Sequence, residues 1–495
     1  MSLADAASVI AVTGLSSVSL VVLALLFRSA HKSGRRLRAT VLGLTLLHEA
    51  VLVAYPAWYS AFTAFSLEAG SGVTADQLIR VYGGEAIFVL LFSFGLLMQR
   101  RTRSKDKTAE TKETPVEKAL LVFLLVGAGT TYVAKLFEPN LTYRDLERHW
   151  EIVVRSGFWE MVWNWTSTLF QWPGLIAAAL AVSIQSLRWY WRAAAWTTLL
   201  AQLIYAMLYG LRGGIVYVVL SICACGYYAH RKRAIAVCVL LSTVLVPLFP
   251  WLHSTMRYTS FGAPTGTSRI ELVPEMFRMT LAAVMGGETS AQSGGFALSW
   301  AQRAEGPRNS ATMYELYDAG GPALYKPILG AIVLPIPRAL WLTKPAAGST
   351  DSTNLGAAIY RVQQKRTAYY DMGPVLASAH AYWEGGWTWL VIAGVASGYM
   401  WNRLLLWAER TSSRWLDIIV LTMVTALPVD GFFSALNPVF AYLRVFWITI
   451  IPLWIIARVF HRLLHKRAAI PGLRLVMYQT AWTEQRKASS GRILK

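Results

Sequence analysis

The sequence predicts an all-α polytopic membrane protein with about eleven transmembrane helices. Hydrophobic residues make up 55% of the 495 residues and charged residues only 15%, and the mean hydropathy is +0.41. Apolar runs long enough to form membrane helices also recur along most of the chain. These two observations place the protein among polytopic membrane proteins rather than soluble domains.

The predicted spans follow one another in two groups, separated by a long mixed stretch. Each is about as long as a helix must be to cross a hydrocarbon core of about 30 Å. A further apolar run, 326–342, is broken by three prolines, and we interpret it as re-entrant or interfacial. The predicted spans are 7–27, 39–60, 81–98, 119–137, 163–187, 193–210, 214–229, 234–251, 386–402, 415–432 and 440–460.

The basic loops predict the orientation. The chain carries 47 Lys and Arg against 27 Asp and Glu, a formal net charge of +20. Most of this excess lies in every second loop between the spans, so the basic loops share one side of the membrane, which is the positive-inside pattern and argues against nucleic acid as a partner. It places the amino terminus outside and the carboxyl terminus inside. The basic segments are 31–38, 99–118, 188–192, 230–233, 403–414 and 458–495.

This pattern divides the chain into four parts. Residues 1–251 form an amino-terminal membrane bundle of about eight helices. Residues 252–385 form a large loop region on the outer face, with re-entrant or interfacial segments. Residues 386–460 form the carboxyl-terminal helices, and 461–495 form a basic cytoplasmic tail.

Fixed cations on the outer face are the first candidate binding residues. Arg212 is followed by two glycines at a junction of two apolar segments. It either snorkels to the membrane surface or clamps an anion, since glycines allow a ligand close to the backbone. Arg338 and Lys344 lie in an element braced by prolines, either a rigid basic site or an interfacial loop among lipid headgroups.

The best acid or base candidates lie further along the outer stretch. Asp371, His380 and Glu384 share a polar approach to a membrane span with cations and aromatic residues, although each could instead be an ordinary surface group. We add three residues of the same stretch as candidate substrate contacts: Arg257, Arg361 and Tyr370.

Three short motifs resemble those of bacterial Wzy-type oligosaccharide repeat-unit polymerases. They are 210–214 (Gly-Leu-Arg-Gly-Gly), 336–345 (Ile-Pro-Arg-Ala-Leu-Trp-Leu-Thr-Lys-Pro) and 381–387 (Ala-Tyr-Trp-Glu-Gly-Gly-Trp). The layout of the membrane region is similar to that family as well. The resemblance implies a GT-C-like glycosyltransferase that polymerises undecaprenyl-pyrophosphate-linked oligosaccharide units at the periplasmic face, in O-antigen or exopolysaccharide synthesis. It also implies a bacterial inner membrane, so the outer face is periplasmic, as are the amino terminus and the region 252–385.

On this resemblance, Arg212, Arg338 and Lys344 hold the pyrophosphate, and Asp371, His380 or Glu384 orients or deprotonates the acceptor hydroxyl. The leaving group is already activated, and the sequence has no P-loop or dinucleotide fingerprint, so no cofactor or metal is expected. The expected partners are the lipid-linked oligosaccharide and the bilayer, and a chain-length regulator is a further partner that the family allows. The alternatives are an O-antigen ligase, which shares the donor chemistry, and a polysaccharide or lipid transporter.

Overall fold

The computed structural model shows a bundle of helices. It describes residues 3–62, 73–98, 115–136, 173–183, 188–208, 212–233, 235–241, 305–320, 375–410, 414–426 and 451–468, with isolated positions between 271 and 281. No strand occurs within these ranges. The all-α class predicted from the sequence is therefore confirmed for the described part of the chain.

Twelve α-helices and one π-helical segment form the described bundle. The π-helical segment, Glu49–Ala54, joins α2 to α3 without a break. The α-helices are α1 (Leu3–Lys32), α2 (Arg36–His48), α3 (Tyr55–Phe62), α4 (Ala75–Leu97), α5 (Pro115–Leu136), α6 (Pro173–Ser183), α7 (Trp189–Leu208), α8 (Arg212–Tyr228), α9 (Glu305–Asp318), α10 (Ala377–Arg410), α11 (Arg414–Ala426) and α12 (Ile451–Ala468).

Three helical stretches are long and apolar enough to cross a membrane: Ala7–Lys32, Arg36–Phe62 and Ala75–Leu97. They correspond to the first three predicted spans. Shorter apolar helices at Lys118–Ala134 and Ile215–Tyr228, and a third at Ile451–Phe460, overlap later predicted spans. The predicted total of about eleven spans and the GT-C-like fold go beyond these helices and stay predictions.

The helices pack in two neighbouring sets. In the first, α4 lies between α1 and α10, and α9 packs against both α4 and α10. In the second, α6 contacts α8 and α11, while α5 contacts α7 and α12. Helix α2 joins the sets through contacts with α8 and α11.

Glycines bring α4 and α10 into close contact. A Cβ atom on Gly394 would lie 3.0 Å from the Cβ of Leu91, and one on Gly398 would lie 3.0 Å from the amide nitrogen of Leu96. The spacing of these two glycines is the small-xxx-small pattern that lets membrane helices approach closely. Later positions on α10 meet later positions on α4, so the two helices run parallel.

Helix α10 begins at Ala377, nine residues before the predicted span 386–402, and has 34 residues. Its backbone is non-helical at Gly385 (φ −168°, ψ 25°) and Gly386 (φ 66°, ψ −159°). The second of these conformations lies in the region that favours glycine. The predicted boundary between the periplasmic region and the carboxyl-terminal helices coincides with this kink.

Candidate functional site

A cluster of six polar and aromatic residues lies where α4 begins, α9 ends and α10 kinks. The start of α4 is fixed by a capping box, in which the Thr74 hydroxyl accepts from the Gln77 amide and the Gln77 side chain accepts from the Thr74 amide. We call the group the Arg80 cluster, and it consists of Arg80, Tyr314, Tyr317, Asp318, Tyr382 and Trp387.

An ion pair and a phenol form a closed triangle at the centre of the cluster. The Arg80 guanidinium donates to both carboxylate oxygens of Asp318, at 2.6 and 3.3 Å, the two-point geometry that makes Arg–carboxylate pairs specific. Arg80 also donates to the Tyr382 hydroxyl, which in turn donates to Asp318 at 2.8 Å. Three side chains from three helices therefore fix one another's position.

The triangle changes the protonation behaviour of its members. The hydrogen bond from Arg80 holds the pKa of Asp318 below its usual range, because it stabilises the ionised carboxylate. Burial, assisted by the hydrogen bond to Asp318, raises the pKa of Tyr382 to about 12. At neutral pH the cluster therefore holds an ionised carboxylate and a protonated phenol.

Aromatic rings surround the guanidinium. Tyr314 stacks on Tyr382 with ring centroids 4.1 Å apart and an interplanar angle of 8°, and Trp387 meets Tyr382 edge-on at 5.3 Å. The Arg80 Cζ atom lies 5.0 Å from the Tyr382 centroid, 5.2 Å from Tyr314 and 6.0 Å from Trp387, within the range of cation–π attraction.

The kink gives the cluster an accessible face. A Cβ atom on Gly386 would lie 2.9 Å from the Tyr317 hydroxyl, so only glycine fits this turn beside α9. The turn brings Trp387 against the other rings while leaving it 42% exposed. An exposed indole beside an ionised carboxylate and a guanidinium suits a sugar, because the ring stacks on a pyranose and the charged groups bind hydroxyls. The same guanidinium suits a phosphate.

Two predicted acid or base residues lie on α10 but not on its cluster face. His380 and Glu384 are buried, and they are four residues apart, so they share one side of the helix. Tyr382 lies two residues from each, on the opposite side by helical periodicity. The Glu384 carboxylate accepts a hydrogen bond from the Trp389 indole at 2.9 Å. The structure thus brings Tyr382 and Trp387 of the 381–387 motif to Arg80. The periodicity of α10 places Glu384 on the side of the helix opposite Tyr382.

The side chains of the other predicted site residues lie outside the part of the chain that the structure describes. Arg212 is the first residue of α8, and its side chain is outside the described atoms. The remaining six lie outside the described residues, and their roles stay predictions: Arg257, Arg338, Lys344, Arg361, Tyr370 and Asp371.

Sequence reasoning missed the centre of the cluster. Arg80 immediately precedes the predicted span 81–98, where a basic residue is easily read as a membrane-surface anchor. Its partners Asp318 and Tyr382 are 238 and 302 residues away along the chain. The sequence does contain one local signal. Tyr317 and Asp318 follow Tyr314 by three and four residues, a spacing that puts all three on one face of a helix.

The chain matched no protein-family model, no curated protein and no solved structure. The assignment of a function therefore depends on the geometry of the Arg80 cluster and on the motifs.

Proposed function

We propose that the chain is a membrane glycosyltransferase that polymerises undecaprenyl-pyrophosphate-linked oligosaccharide units at the periplasmic face. An acceptor hydroxyl attacks the anomeric carbon of the donor, the bond from that carbon to the pyrophosphate oxygen breaks, and undecaprenyl pyrophosphate leaves. The hydroxyl proton passes to a base of the protein or to solvent. The chemistry needs an oriented sugar acceptor and cations near the leaving group.

The Arg80 cluster is the observation that carries this proposal. The 381–387 motif, on which the resemblance to the polymerases partly depends, supplies Tyr382 and Trp387 to the cluster. An exposed indole, a fixed guanidinium and a carboxylate kept ionised by its partner form a surface suited to an oligosaccharide. We assign this surface to the binding of a sugar next to the reacting bond.

The packing supports the proposed orientation. Arg80 and Trp387 lie at the same end of the parallel helices α4 and α10. At the opposite end, Arg38 donates to the Asn402 side chain at 2.5 Å, and both residues belong to or adjoin the basic sequence segments 31–38 and 403–414. The cluster lies at the other end of the helix pair, which supports the proposal that it faces the periplasm under the positive-inside rule.

We assign the leaving group to other residues. Arg212, Arg338 and Lys344 are the proposed cations for the pyrophosphate, and they would stabilise the charge that develops as the bond breaks. Asp371, His380 and Glu384 are the proposed groups that orient or deprotonate the acceptor hydroxyl. Arg257, Arg361 and Tyr370 are proposed contacts to the rest of the substrate.

The test is extension of a lipid-pyrophosphate-linked oligosaccharide by the purified full-length protein in detergent, with a chelator present. Trp387→Ala is compared with Trp407→Ala, a matched tryptophan near the other end of α10 that is 43% exposed against 42%. We expect Trp387→Ala to lower the extension rate at low donor concentration by about tenfold or more, the effect of losing about 1.4 kcal/mol of binding. Trp407→Ala should keep the native rate.

Two further variants, Arg212→Ala and Arg338→Ala, address the leaving group. A product ladder that disappears in both, while each variant stays folded, would support the pyrophosphate clamp. A single transfer to a different acceptor, with no ladder, would point to a ligase instead. If the native protein consumes no donor with any acceptor, the enzyme proposal fails and transport becomes the better account.

A further inference from the structure

Two glutamates are buried inside helices that are long and apolar enough to cross a membrane. Glu49 begins the π-helical segment Glu49–Ala54, and Glu85 lies in α4, each with 1% of its surface exposed. The two carboxyls are electrostatic neighbours. Glu85 is five residues beyond Arg80, about 7.5 Å further along the helix axis, so the pair forms a second layer beneath the Arg80 cluster. Ionisable groups at such positions are costly and are usually functional.

The hydrogen bonds of this acid pair are incomplete. One oxygen of Glu85, Oε2, accepts from the backbone amide of Ser378 at 3.1 Å. The Ser19 side chain of α1 interacts with Glu49. The other oxygen of each glutamate, Oε1, has no hydrogen-bond partner among the described residues. A buried acceptor without a partner costs about 1–3 kcal/mol, and more if it is charged, so a further donor to these Oε1 atoms would stabilise the pair.

Two hydroxyl groups lie beside Glu85. Tyr314 and Ser378 are 2% and 0% exposed. The Ser378 side chain interacts with both Glu85 and Tyr314, and Tyr314 interacts electrostatically with Glu85. Stacking on Tyr382 directs the Tyr314 hydroxyl against Gly84, where a Cβ atom would collide with it. These oxygens can accept from a protonated carboxyl as well as donate to an ionised one.

Ionisable groups of several helices lie around the pair. Tyr82 of α4 interacts with Glu49, and Tyr314 of α9 interacts with Glu85. His48 of α2 precedes Glu49 in the chain and His380 of α10 is two residues from Ser378, and both histidines are buried. Among the described residues, Arg308 of α9 interacts with Tyr82, and Arg80 is bonded to Asp318 in the layer above.

We propose that Glu49 and Glu85 form a proton-binding site within the membrane-spanning helices and hold at least one proton between them at neutral pH. The bound proton supplies the missing donor and removes one of two repelling charges from a water-excluded interior. A proton needs no coordination shell. A metal ion does, and the described residues contain no group of three or more His, Cys, Asp or Glu side chains that could hold one. The π-helical segment fits such a role, because π segments interrupt regular helices mostly at functional positions.

The test is infrared spectroscopy of the full-length protein in lipid nanodiscs at pH 7. We expect the native protein to show the carbonyl band of a protonated carboxylic acid. The band should be lost or halved in Glu49→Gln and in Glu85→Gln. The matched control is Glu315→Gln, which changes a half-buried glutamate of α9 and should leave the band unchanged. The inference does not depend on glycosyl transfer, so either proposal can fail alone.

Three outcomes would overturn the inference. The first is a native spectrum without the acid band at pH 7, and the second is a band that both variants retain. The third is a band that appears only when sodium is removed, which would make the pair an alkali-cation site. If a variant does not fold, titration of the band in the native protein is sufficient. It should persist to a pH well above the ordinary range of exposed carboxyls, about 4.

Discussion

The two ends of the α4–α10 pair use the same residue types in different ways. At one end, Tyr314, Tyr382 and Trp387 surround the single guanidinium of Arg80, and these partners come from two other helices. At the other end, Arg403 of α10 donates to the Tyr399 hydroxyl at 2.8 Å and lies 5.2 Å from its ring. This second pair is four residues apart on one helix, as are Trp454 and Arg458 of α12.

This difference distinguishes residue pairs that anchor a helix at the membrane surface from a cluster that can form a binding site. A pair of residues four apart forms whenever the helix forms, and an exposed Arg–aromatic pair of this kind suits the membrane surface. The Arg80 cluster forms only when α4, α9 and α10 have all packed. Its geometry therefore reports on tertiary structure.

The largest expected effect tests whether the two ends of the α4–α10 pair depend on the same close helix packing. Gly398→Leu places a side chain against the backbone of α4, where even a Cβ atom would lie 3.0 Å from the Leu96 amide nitrogen. We expect a loss of about 1–3 kcal/mol or more in the free energy of unfolding, because two backbones must separate. Thermal unfolding in detergent, followed by circular dichroism, measures it.

The matched control for this change is Gly129→Leu on α5. A Cβ atom there meets nothing within 4 Å, so the free energy of unfolding should change by less than about 1 kcal/mol. Equal losses of unfolding free energy in the two variants would show that the close contact at Gly398 does not stabilise the α4–α10 pair.

A medium effect should separate the two ends directly. Tyr382→Phe removes a hydroxyl that bonds to both Arg80 and Asp318, and we expect a loss of about 0.5–1.5 kcal/mol. Tyr399→Phe at the other end removes one exposed bond to Arg403 and should cost less than about 0.5 kcal/mol. Chemical unfolding of the two variants in detergent compares them, and equal costs would contradict the distinction.

The smallest effect is a pH dependence at the Arg80 end. The folded pKa of Asp318 lies below its usual value because of Arg80, so its contribution to stability is complete above about pH 4 and is lost as pH falls through the folded pKa. Solvent screens this exposed pair, so we expect less than about 1 kcal/mol. The difference in melting temperature between the native protein and Asp318→Asn should shrink on acidification.

The other end offers the comparison for this pH dependence. Arg403→Gln breaks a bond to a phenol rather than to a carboxylate, so the difference between its melting temperature and that of the native protein should stay constant over the same pH range. If the melting-temperature difference between the native protein and Asp318→Asn stays constant or grows at low pH, the ion pair does not contribute to stability in the way the geometry suggests.

The sequence predicted the parts of the fold that depend on local physics. The first three spans follow from runs of apolar residues. The 381–387 motif was recognised for its residues, and Tyr382 and Trp387 do reach the cluster. Arg80 and Asp318 were missed, because a cation before a span and an acid in a loop region each have a more common explanation when considered alone.

By itself, the sequence determined that the chain is helical, strongly apolar and basic in alternate loops, because these properties are sums over neighbouring residues. Only the tertiary structure decided that Arg80 meets Asp318, 238 positions away along the chain, and that Glu49 and Glu85 are both buried and interact electrostatically. Helix packing sets such distances, and here packing depends on the close approach of α4 and α10 at their glycines.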